Sequence, residues 1–330
     1  MRVRALVLAA GLGMRLRPLT GNMPKPLLPV LGEPILGHTL RRLAAAGCEA
    51  AAINLHHRGD QIRRALGNVL EGMPLTWSEE PQLLGTLGAL QPLAGFFAGA
   101  DLGLIVNGDS LCRWPLTALL RRHQASGAPA TLLLTSRADP GEFGGGVAID
   151  RGGALLSLRP GATSPEPARG TRRLVFAGAH VLSRELLARI AADPGPVPAD
   201  VVRDLYEPLL AEQPGSLATL TTGRRWHDLG TPRRYLAATL DWARAADGGR
   251  WVSLAAEVSP QAAVRRASVE AGCRVAAGAS VEDSVLLPGA TVGAGCEVRG
   301  SILGPGAELA AGNHVSAQLV VAGGQSSDLR

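Results

Sequence analysis

The residues best suited to chemistry lie in one stretch near the start of the chain, Leu8 to Pro29, which reads LAAGLGMRLRPLTGNMPKPLLP. Gly11 and Gly13 let backbone N–H groups approach an anion closely, which larger residues would prevent. Arg15 and Lys25 add fixed positive charge, and the prolines around Lys25 stiffen the segment that carries it. This combination predicts a loop that cradles a triphosphate. Its spacing fits neither a Walker A loop nor the dinucleotide fingerprint.

Lys25 is the only lysine among the 33 Lys and Arg residues of the chain. Most lysines are solvated surface residues. This one lies inside a Pro-Lys-Pro turn beside a glycine loop, which indicates a role at the phosphates instead. A compact ammonium on a flexible stem can follow one phosphate oxygen through a reaction better than a planar guanidinium can.

The elements that must position this loop alternate between strand and helix. The apolar runs Val3 to Leu8 and Leu102 to Val106 predict buried strands. Between them lie a predicted helix from Ile35 to Ala46 and a strand that ends at His56. This alternation predicts a parallel, Rossmann-like α/β sheet with its ligand at the carboxyl ends of the strands. From Pro140 onward the pattern becomes antiparallel, which makes the sheet mixed.

Two aspartates lie where such a sheet would use them. Asp109 follows a buried strand directly, after Asn107 and Gly108, so it is either a magnesium ligand in the cleft or a helix or turn cap. Asp228 belongs to the motif WHDLGTP and has the same two interpretations. Thr231 is better placed than Asp228 to cap the helix that follows.

The last part of the chain is a repeat of 17 residues. Apolar residues recur in steps of six, six and five, beginning at Val252, Val258 and Val264, with Gly and Ala pairs between them. Hexapeptide periodicity with small turn residues predicts a parallel β-helix with three faces. We expect four coils with Val, Leu and Cys side chains inward or at corners. Similarity to hexapeptide-repeat proteins favours the left-handed form.

The segment Asp247-Gly248-Gly249 is typical of a linker. It divides the sequence into a predicted catalytic domain over 1–247 and a predicted β-helix over 251–322, with a disordered tail at 323–330. A second mobile segment is expected over 162–171. Because so short a solenoid leaves its ends exposed, we expect it to pack on the first domain or on another subunit, and the chain to form a homo-oligomer.

Composition excludes several classes of function. The chain has 330 residues, 46% apolar and 18% charged, which is ordinary for a globular protein. Its net charge of +5 comes without a dense basic run and aromatic residues make up 3%, so nucleic-acid binding is not expected. No apolar stretch is long enough to span a bilayer, and the apolar start is too short for a signal peptide. The four cysteines lack the spacing of a zinc site, which favours a reduced, cytoplasmic setting.

The run L-A-A-G-x-G-x-R-L-x-P-L-T followed by P-K-P-L-x-P resembles the signature of the sugar-1-phosphate nucleotidyltransferases, the NDP-sugar pyrophosphorylases. WHDLGTP resembles the same family's W-x-D-x-G-T-P. The resemblance implies that the catalytic residues are Arg15, Lys25, Asp109 and Asp228, with Mg²⁺ held by the two aspartates. It implies that the nucleotide is bound by Leu8, Ala10, Gly11, Gly13, Glu80, Gly85, Asn107 and Gly108. The sugar phosphate would be bound by Glu142, Gly145, Arg159 and Gly178.

Several positions leave the substrate open. Glu80 is either a carboxylate that accepts hydrogen bonds from a guanine or an exposed acidic turn, with equal weight. Many relatives carry Glu-Lys-Pro where this chain has Leu158-Arg159-Pro160, so Arg159 would replace the lysine as a phosphate clamp and a carboxylate for the sugar hydroxyls is missing. Glu142 and His180 are either sugar contacts or structural residues.

The resemblance therefore implies a Mg²⁺-dependent enzyme that transfers a nucleotidyl group from an NTP to a sugar 1-phosphate, with GTP and mannose 1-phosphate as the first choice. Glucose-1-phosphate thymidylyl- or uridylyltransferase and N-acetylmuramate-1-phosphate uridylyltransferase are alternatives. The non-enzyme alternative is a regulatory subunit that binds an NDP-sugar. Such subunits typically lose one of the catalytic residues, and here all are present.

Overall fold

The computed structural model describes residues 1–158, 170–193, 195–244 and 247–329. The chain forms two compact units. The first contains Met1–Gly11 and Leu36–His227, and the second contains Leu12–Ile35 and Asp228–Arg330. The predicted phosphate loop is therefore divided, because its first residues belong to the first unit and its Arg15 and Lys25 to the second.

Short strands and helices alternate along the first two thirds of the chain. The strands there are β1 (Val3–Leu8), β2 (Pro29–Val30), β3 (Glu33–Pro34), β4 (Ala50–Leu55), β5 (Val69–Leu70), β6 (Met73–Glu79), β7 (Leu102–Asn107), β8 (Ser110–Cys112), β9 (Ala130–Thr135), β10 (Val147–Ile149), β11 (Leu155–Ser157), β12 (Arg172–Ser183), β13 (Ala218–Thr222) and β14 (Trp226–Asp228). The α-helices are α1 (Ile35–Ala45), α2 (Gly59–Leu66), α3 (Gly85–Gly88), α4 (Ala94–Phe97), α5 (Leu116–Ser126), α6 (Arg184–Ala192), α7 (Glu207–Glu212) and α8 (Pro232–Ala243). Short 3₁₀ turns lie at Met14–Leu16, Lys25–Leu27, Gln91–Leu93, Pro140–Phe143 and Asp247–Gly249, and a π-helical turn at Val202–Tyr206.

The first unit is built on a mixed sheet with the strand order β11-β10-β12-β7-β1-β4-β6-β5, from which β9 and β13 branch at β12. β1 lies between β4 and β7 and is parallel to both. β12 runs antiparallel to β7 and β9. The predicted Rossmann-like mixed sheet is thus confirmed, with the N-terminal apolar run as one of its inner strands.

The inner strands are apolar without alternation because both faces of the sheet are covered. Five of the six residues of β7 and four of the six residues of β1 are buried. α2 ends at Leu66 because Gly67 leaves the helix with a φ of 67°. Within the described ranges, no helix combines the length and apolar character needed to cross a membrane.

The second unit contains the predicted parallel β-helix. Its strands are β15 (Trp251–Val252), β16 (Glu257–Val258), β17 (Ala263–Arg265), β18 (Ser268–Val269), β19 (Arg274–Val275), β20 (Ser280–Glu282), β21 (Val285–Leu286), β22 (Thr291–Val292), β23 (Glu297–Arg299), β24 (Ile302–Leu303), β25 (Glu308–Leu309), β26 (His314–Ser316), β27 (Gln318–Val320) and β28 (Ser326–Asp328). Three stacks of parallel strands result, and in each stack partners are 17 residues apart, as Val252 is from Val269. The repeat residues fill a buried core that includes Cys273 and Cys296, as predicted.

The C-terminal tail differs from the prediction of disorder. Ser326–Asp328 form β28, which pairs antiparallel with β27. A turn makes this possible, because the N–H of Gly324 donates to the carbonyl of Val321 at 3.1 Å. The returning strand covers the edge of β27 that no further coil would pair, which removes an exposed strand edge.

Two sequence predictions lie outside the described residues. Arg159, the predicted sugar-phosphate clamp, is one of them. The other is the loop predicted over 162–171, of which only the last two residues are described.

Candidate active site

The parallel strands of the first unit end in a row at one edge of the sheet. Leu8 of β1 lies opposite Asn54 of β4 and Asn107 of β7. β6 is parallel to β4, and Glu80 follows its last residue. The carboxyl edge therefore gathers Leu8, Asn107 and Glu80, as the parallel topology predicts.

A buried hydrogen-bond chain joins this edge to the start of the glycine loop. Asn54 is 4% exposed, and its Oδ1 accepts the backbone N–H of Ala9 at 2.7 Å. Its Nδ2 donates to Oε1 of Glu80 at 2.8 Å. Sequence reasoning missed Asn54, although a single asparagine in the apolar run AAAINL was a usable signal. A buried amide of this kind needs such partners, so it fixes the loop against the strand.

Glu80 is 4% exposed, so the alternative of an exposed acidic turn is wrong. Besides the contact to Asn54, its Oε2 accepts the backbone N–H of Leu84 at 3.1 Å. Each carboxylate oxygen thus already holds one hydrogen bond. A contact from Glu80 to a base would use the remaining lone pairs.

The segment that begins with Gly85 is held by the loop before the π-helical turn. Oγ1 of Thr86 donates to Oδ2 of Asp200 at 3.2 Å and accepts the backbone N–H of Val201 at 2.8 Å. Gly85 itself has a φ of 80°. The part of the chain predicted to border the nucleobase is therefore fixed at both of its ends, by Glu80 and by Thr86.

Asn107 and its neighbours pack tightly at the end of β7. The N–H of Gly108 donates to the carbonyl of Leu8 at 2.9 Å. A Cβ at Gly178 would lie 2.8 Å from Nδ2 of Asn107. The first unit thus brings Gly108, Gly178 and Asn107 together, and the half-buried Asp109 follows at once.

The predicted sugar region is polar in part and apolar in part. Glu142 is exposed on the turn Pro140–Phe143, and the N–H of Gly145 donates to the carbonyl of Pro140 at 3.0 Å. The ring of Phe143 packs edge-on against that of Trp226, with 5.0 Å between centroids. The contact between Phe143 and Trp226 therefore anchors the turn that carries Glu142.

His180 is a structural residue. It is 2% exposed, and its Nδ1 is hydrogen-bonded to the Tyr206 hydroxyl. Burial lowers the pKa of His180 to about 3, so the imidazole stays neutral at physiological pH.

Lys25 and the remaining glycine loop lie in the second unit. Gly13 adopts the left-handed conformation, with φ of 62°, and its carbonyl accepts the Thr20 hydroxyl at 2.9 Å. A Cβ at Gly13 would lie 3.2 Å from the Cβ of Lys25, so the loop and the lysine segment are in contact. Lys25 is only 6% exposed. It is a buried cation rather than a solvated one.

Arg15 and Asp228 lie side by side over Gly230. A Cβ there would be 3.0 Å from Nη2 of Arg15 and 3.0 Å from Oδ2 of Asp228. Nη1 of Arg234 forms an ion pair with Oδ2 of Asp228 at 2.7 Å. Thr231 caps α8, as predicted, by accepting the N–H of Arg234. Because Thr231 caps α8, Asp228 is not needed as the cap of this helix.

The aspartates suit a hard divalent cation. Within the described ranges, no group of three or more His, Cys, Asp or Glu side chains forms a complete metal cage. Magnesium at nucleotide sites is usually bound by one or two carboxylates together with substrate phosphates, so such a cage is not required. Arg234 uses one oxygen of Asp228, and a carboxylate has about four lone-pair sites. The chemistry of Asp109 and Asp228 therefore fits the cation.

Comparison with known families decides the assignment. A family model described as Nucleotidyl transferase matches residues 4–244. This chain belongs to the nucleotidyl transferase family. Enzymes of this family generally use a divalent metal. A second model, described as GlmU-like, C-terminal hexapeptide, matches residues 249–320 and confirms the hexapeptide repeat.

Curated relatives that are similar to this chain have names that refer to mannose 1-phosphate. A mannose-1-phosphate guanylyltransferase of Mycobacterium tuberculosis is 31% identical over 74% of this chain and 65% of its own length. The catalytic subunit beta of the enzyme of the same name from Drosophila pseudoobscura pseudoobscura is 30% identical over 71% of this chain and 60% of its own length. A putative mannose-1-phosphate guanyltransferase of Sulfolobus acidocaldarius is 30% identical over 79% of this chain and 68% of its own length. The matches to the first two span less than two thirds of those relatives.

A solved structure supports the fold. HddC from Yersinia pseudotuberculosis, complexed with GMP-PN, superimposes with a TM-score of 0.57 at 20% identity, over 72% of this chain and 99% of HddC. At that identity the likeness concerns the fold alone.

Proposed function

We propose that the protein transfers a guanylyl group from GTP to mannose 1-phosphate, giving GDP-mannose and pyrophosphate. The observation that carries the proposal lies in the second unit, where Arg15 lies beside Asp228 and the only lysine of the chain is buried against the glycine loop. Its place against a glycine loop supports a phosphate ligand, because a compact ammonium on a flexible stem can follow one phosphate oxygen through the reaction.

The reaction needs no protein nucleophile. A phosphate oxygen of the sugar 1-phosphate attacks the α-phosphorus of the triphosphate. The bond from the α-phosphorus to its bridging oxygen breaks, and pyrophosphate leaves with the electron pair. Catalysis of this kind rests on positioning and on neutralising charge.

We assign the roles of the charged residues accordingly. Arg15 holds the leaving pyrophosphate, and Lys25 contacts phosphate oxygens at the reacting centre. Asp109 and Asp228 hold the divalent metal, which we propose is Mg²⁺ and which supplies charge neutralisation at the phosphates when bound. Arg234 keeps the Asp228 carboxylate in one orientation through its ion pair.

The remaining assignments concern binding. Backbone around Leu8, Ala10, Gly11 and Gly13 surrounds the triphosphate, and the nucleoside lies along Glu80, Gly85, Asn107 and Gly108. Glu142, Gly145, Arg159 and Gly178 bind the sugar phosphate. The curated names of three relatives support GTP and mannose 1-phosphate as the pair.

We also propose the organisation of the chain. The two family models, at 4–244 and 249–320, support a catalytic domain over 1–247 and a β-helix over 251–322. Four free and buried cysteines support a reducing, cytoplasmic setting. A homo-oligomer remains our expectation for the short solenoid.

Pyrophosphate release tests the proposal. Purified protein is incubated with Mg²⁺, each of five nucleoside triphosphates and a panel of sugar 1-phosphates. Release with GTP and mannose 1-phosphate alone is the expected result. Release with a glucose or N-acetylmuramate 1-phosphate and dTTP or UTP would keep the mechanism and replace the substrates. No release from any pair, with an NDP-sugar still bound, would favour the regulatory subunit.

A further inference from the structure

The lysine segment ends in a strained turn. β2 and β3 form a hairpin whose two turn residues are Leu31, with φ of 54°, and Gly32, with φ of 81°. Both residues of such a turn need positive φ, which suits glycine but is unfavourable for leucine. A strained leucine persists only where its surroundings over-determine the conformation. The surroundings of this turn therefore indicate what it is for.

A carboxylate from the β-helix occupies the turn. Glu270, which follows β18, accepts the N–H of Gly32 on Oε2 at 2.9 Å and also the N–H of Leu31. Its Oε1 accepts the Ser268 hydroxyl at 3.1 Å. Successive N–H groups in a turn of this kind make an anion-binding concavity, and here the anion is a side chain. Glu270 is 1% exposed.

Two aromatic residues also contact the hairpin. A Cβ at Gly32 would lie 2.9 Å from the ring of Trp251 in the first coil, so the ring packs directly on the turn. The hydroxyl of Tyr235, in α8, donates to the carbonyl of Pro29. The coils and α8 thus hold both the tip of the hairpin and its first strand.

Backbone hydrogen bonds connect the hairpin to Lys25. The N–H of Leu28 donates to the carbonyl of Lys25 at 3.1 Å, and the N–H of Ile35 donates to the carbonyl of Leu28 at 3.0 Å. The turn Lys25–Leu27 therefore runs straight into the hairpin. A shift of the tip would therefore be expected to move the backbone of Lys25.

We propose that Glu270 is a positioning residue for the nucleotidyl transfer, because it holds the Leu31–Gly32 turn and thereby sets the position of Lys25. The β-helix then contributes to catalysis through a single buried carboxylate. This inference rests on the proposed function only where Lys25 is taken to contact phosphate. The contact between Glu270 and the turn does not depend on it.

The ionisation of Glu270 should also be visible in the pH dependence of activity. Burial raises the pKa of Glu270 from 4.5 to about 7. Among the described residues, Tyr235 of α8 and Cys273 of the following turn are titratable groups that interact with it. Burial holds the pKa of Tyr235 well above 10 and raises that of Cys273 to about 11, so both stay neutral. The ionised carboxylate, which accepts the turn's N–H groups most strongly, is therefore gained as the pH rises through about 7.

Glu270→Gln is the test variant, and Glu257→Gln, an exposed coil glutamate beside Arg274, is its matched control. We expect kcat of Glu270→Gln to fall about tenfold to a hundredfold at pH 8, with KM for GTP changing less than about threefold. The rise of kcat through pH 7 should be lost in the variant. The control should match wild type in each respect. Gly32→Ala, which would crowd Trp251, should reproduce the loss of kcat.

A loss of protein stability can be distinguished from the loss of positioning that we expect in Glu270→Gln. A raised glutamate pKa contributes stability that is present below the ordinary value of 4.5 and is lost as the pH rises through about 7. Removing the ionisation should therefore leave the melting temperature of Glu270→Gln at pH 8 equal to or above that of wild type. Faster hydrogen exchange in the peptide over 28–35 should show directly that the turn is released.

A double variant separates positioning from mere structure. If Glu270 acts through Lys25, adding Glu270→Gln to Lys25→Arg should lower kcat by less than about threefold further. Full additivity, or a Glu270→Gln enzyme within about twofold of wild type, would overturn the proposal. A wild-type protein without activity on any substrate pair would instead contradict the proposed function. In that case unchanged exchange over 28–35 in the variant would overturn the contact between Glu270 and the turn as well.

Discussion

The two units position their chemical groups in different ways. In the first unit, Leu8, Asn54 and Asn107 are in register at the edge of a sheet whose inner strands are buried on both faces. In the second, Arg15 and Lys25 lie on short 3₁₀ turns that have little regular structure of their own. The first arrangement follows from strand pairing, whereas the second depends on individual buried side chains.

Two buried carboxylates make the difference concrete. Glu80 accepts a backbone N–H from Leu84, four residues away, and so organises its own loop. Glu270 accepts a backbone N–H from Gly32, which is 238 residues away in sequence. Glu80 thus holds its own loop, although Thr86 in the same region is held from Asp200 within the first unit, whereas the turn that follows the Lys25 segment is held from the β-helix. Substitutions at the charged residues Lys25 and Asp228 of the second unit should change turnover more than a substitution at Glu80 in the first.

The largest effect is expected for Lys25→Ala. If Lys25 neutralises transition-state charge, as we propose, its removal should lower kcat by about a hundredfold to a thousandfold, measured as pyrophosphate release. Arg17→Ala, at an exposed arginine of the same segment, is the control and should remain near wild type. A Lys25→Ala enzyme that keeps its turnover would break the comparison, since the buried lysine of the second unit would then supply no essential charge.

A somewhat smaller effect is expected from the ion pair beside Arg15. Asp228→Asn should lower kcat strongly and raise the Mg²⁺ concentration needed for half-maximal activity, because a neutral amide is a poorer ligand for a hard cation. Arg234→Ala should cost about tenfold in kcat, since it leaves the carboxylate in place and removes only its orientation. A magnesium titration of both variants checks this order, and equal losses would contradict it.

In the first unit, Glu80→Gln should act mainly on binding. Both oxygens of Glu80 accept from N–H donors, so an amide nitrogen there would face one donor and lose that hydrogen bond. The cost of about 1–3 kcal/mol should raise KM for the nucleotide by about tenfold and change kcat less. Glu79→Gln, at the exposed neighbour that pairs with Arg63, is the matched control. A loss confined to kcat would show that the two units do not differ in this way.

The smallest effect is expected on the outside of the coils. Arg266 bonds Asp283 and Glu282 at 2.6 Å, and its guanidinium lowers the pKa of Asp283 below 3.8. Because the pair is solvent-exposed, Arg266→Ala should lower the free energy of unfolding only slightly and leave kcat unchanged. A lowered aspartate pKa contributes stability above its ordinary value and loses it as the pH falls, so the difference in unfolding free energy should vanish in acid. Urea unfolding at pH 7 and pH 3 measures it.

The sequence was most informative where structure is periodic. The alternation of strands and helices predicted the central sheet, and the 17-residue spacing predicted the three strand stacks. The strand-end position of Asp109 and the capping role of Thr231 followed from the same local rules. Each of these features depends on neighbours that are close in sequence or repeated along it.

The rest depends on contacts that no local pattern contains. Nothing around Glu270 in sequence indicates that it binds a turn near the start of the chain, and Leu31 is a poor choice for that turn in isolation. The tail was predicted to be disordered because chain termini commonly are, yet it pairs with the free edge of β27. Asn54 was overlooked because it interrupts an apolar strand whose pattern was otherwise clear.

The fate of the phosphates of GTP tests the central claim most directly. The enzyme is supplied with mannose 1-phosphate and with GTP labelled either at the α- or at the γ-phosphate. The account predicts that the α-label appears in the sugar nucleotide and the γ-label in pyrophosphate, in equal amounts. Transfer of the γ-label to the sugar, or its release as inorganic phosphate, would contradict nucleotidyl transfer.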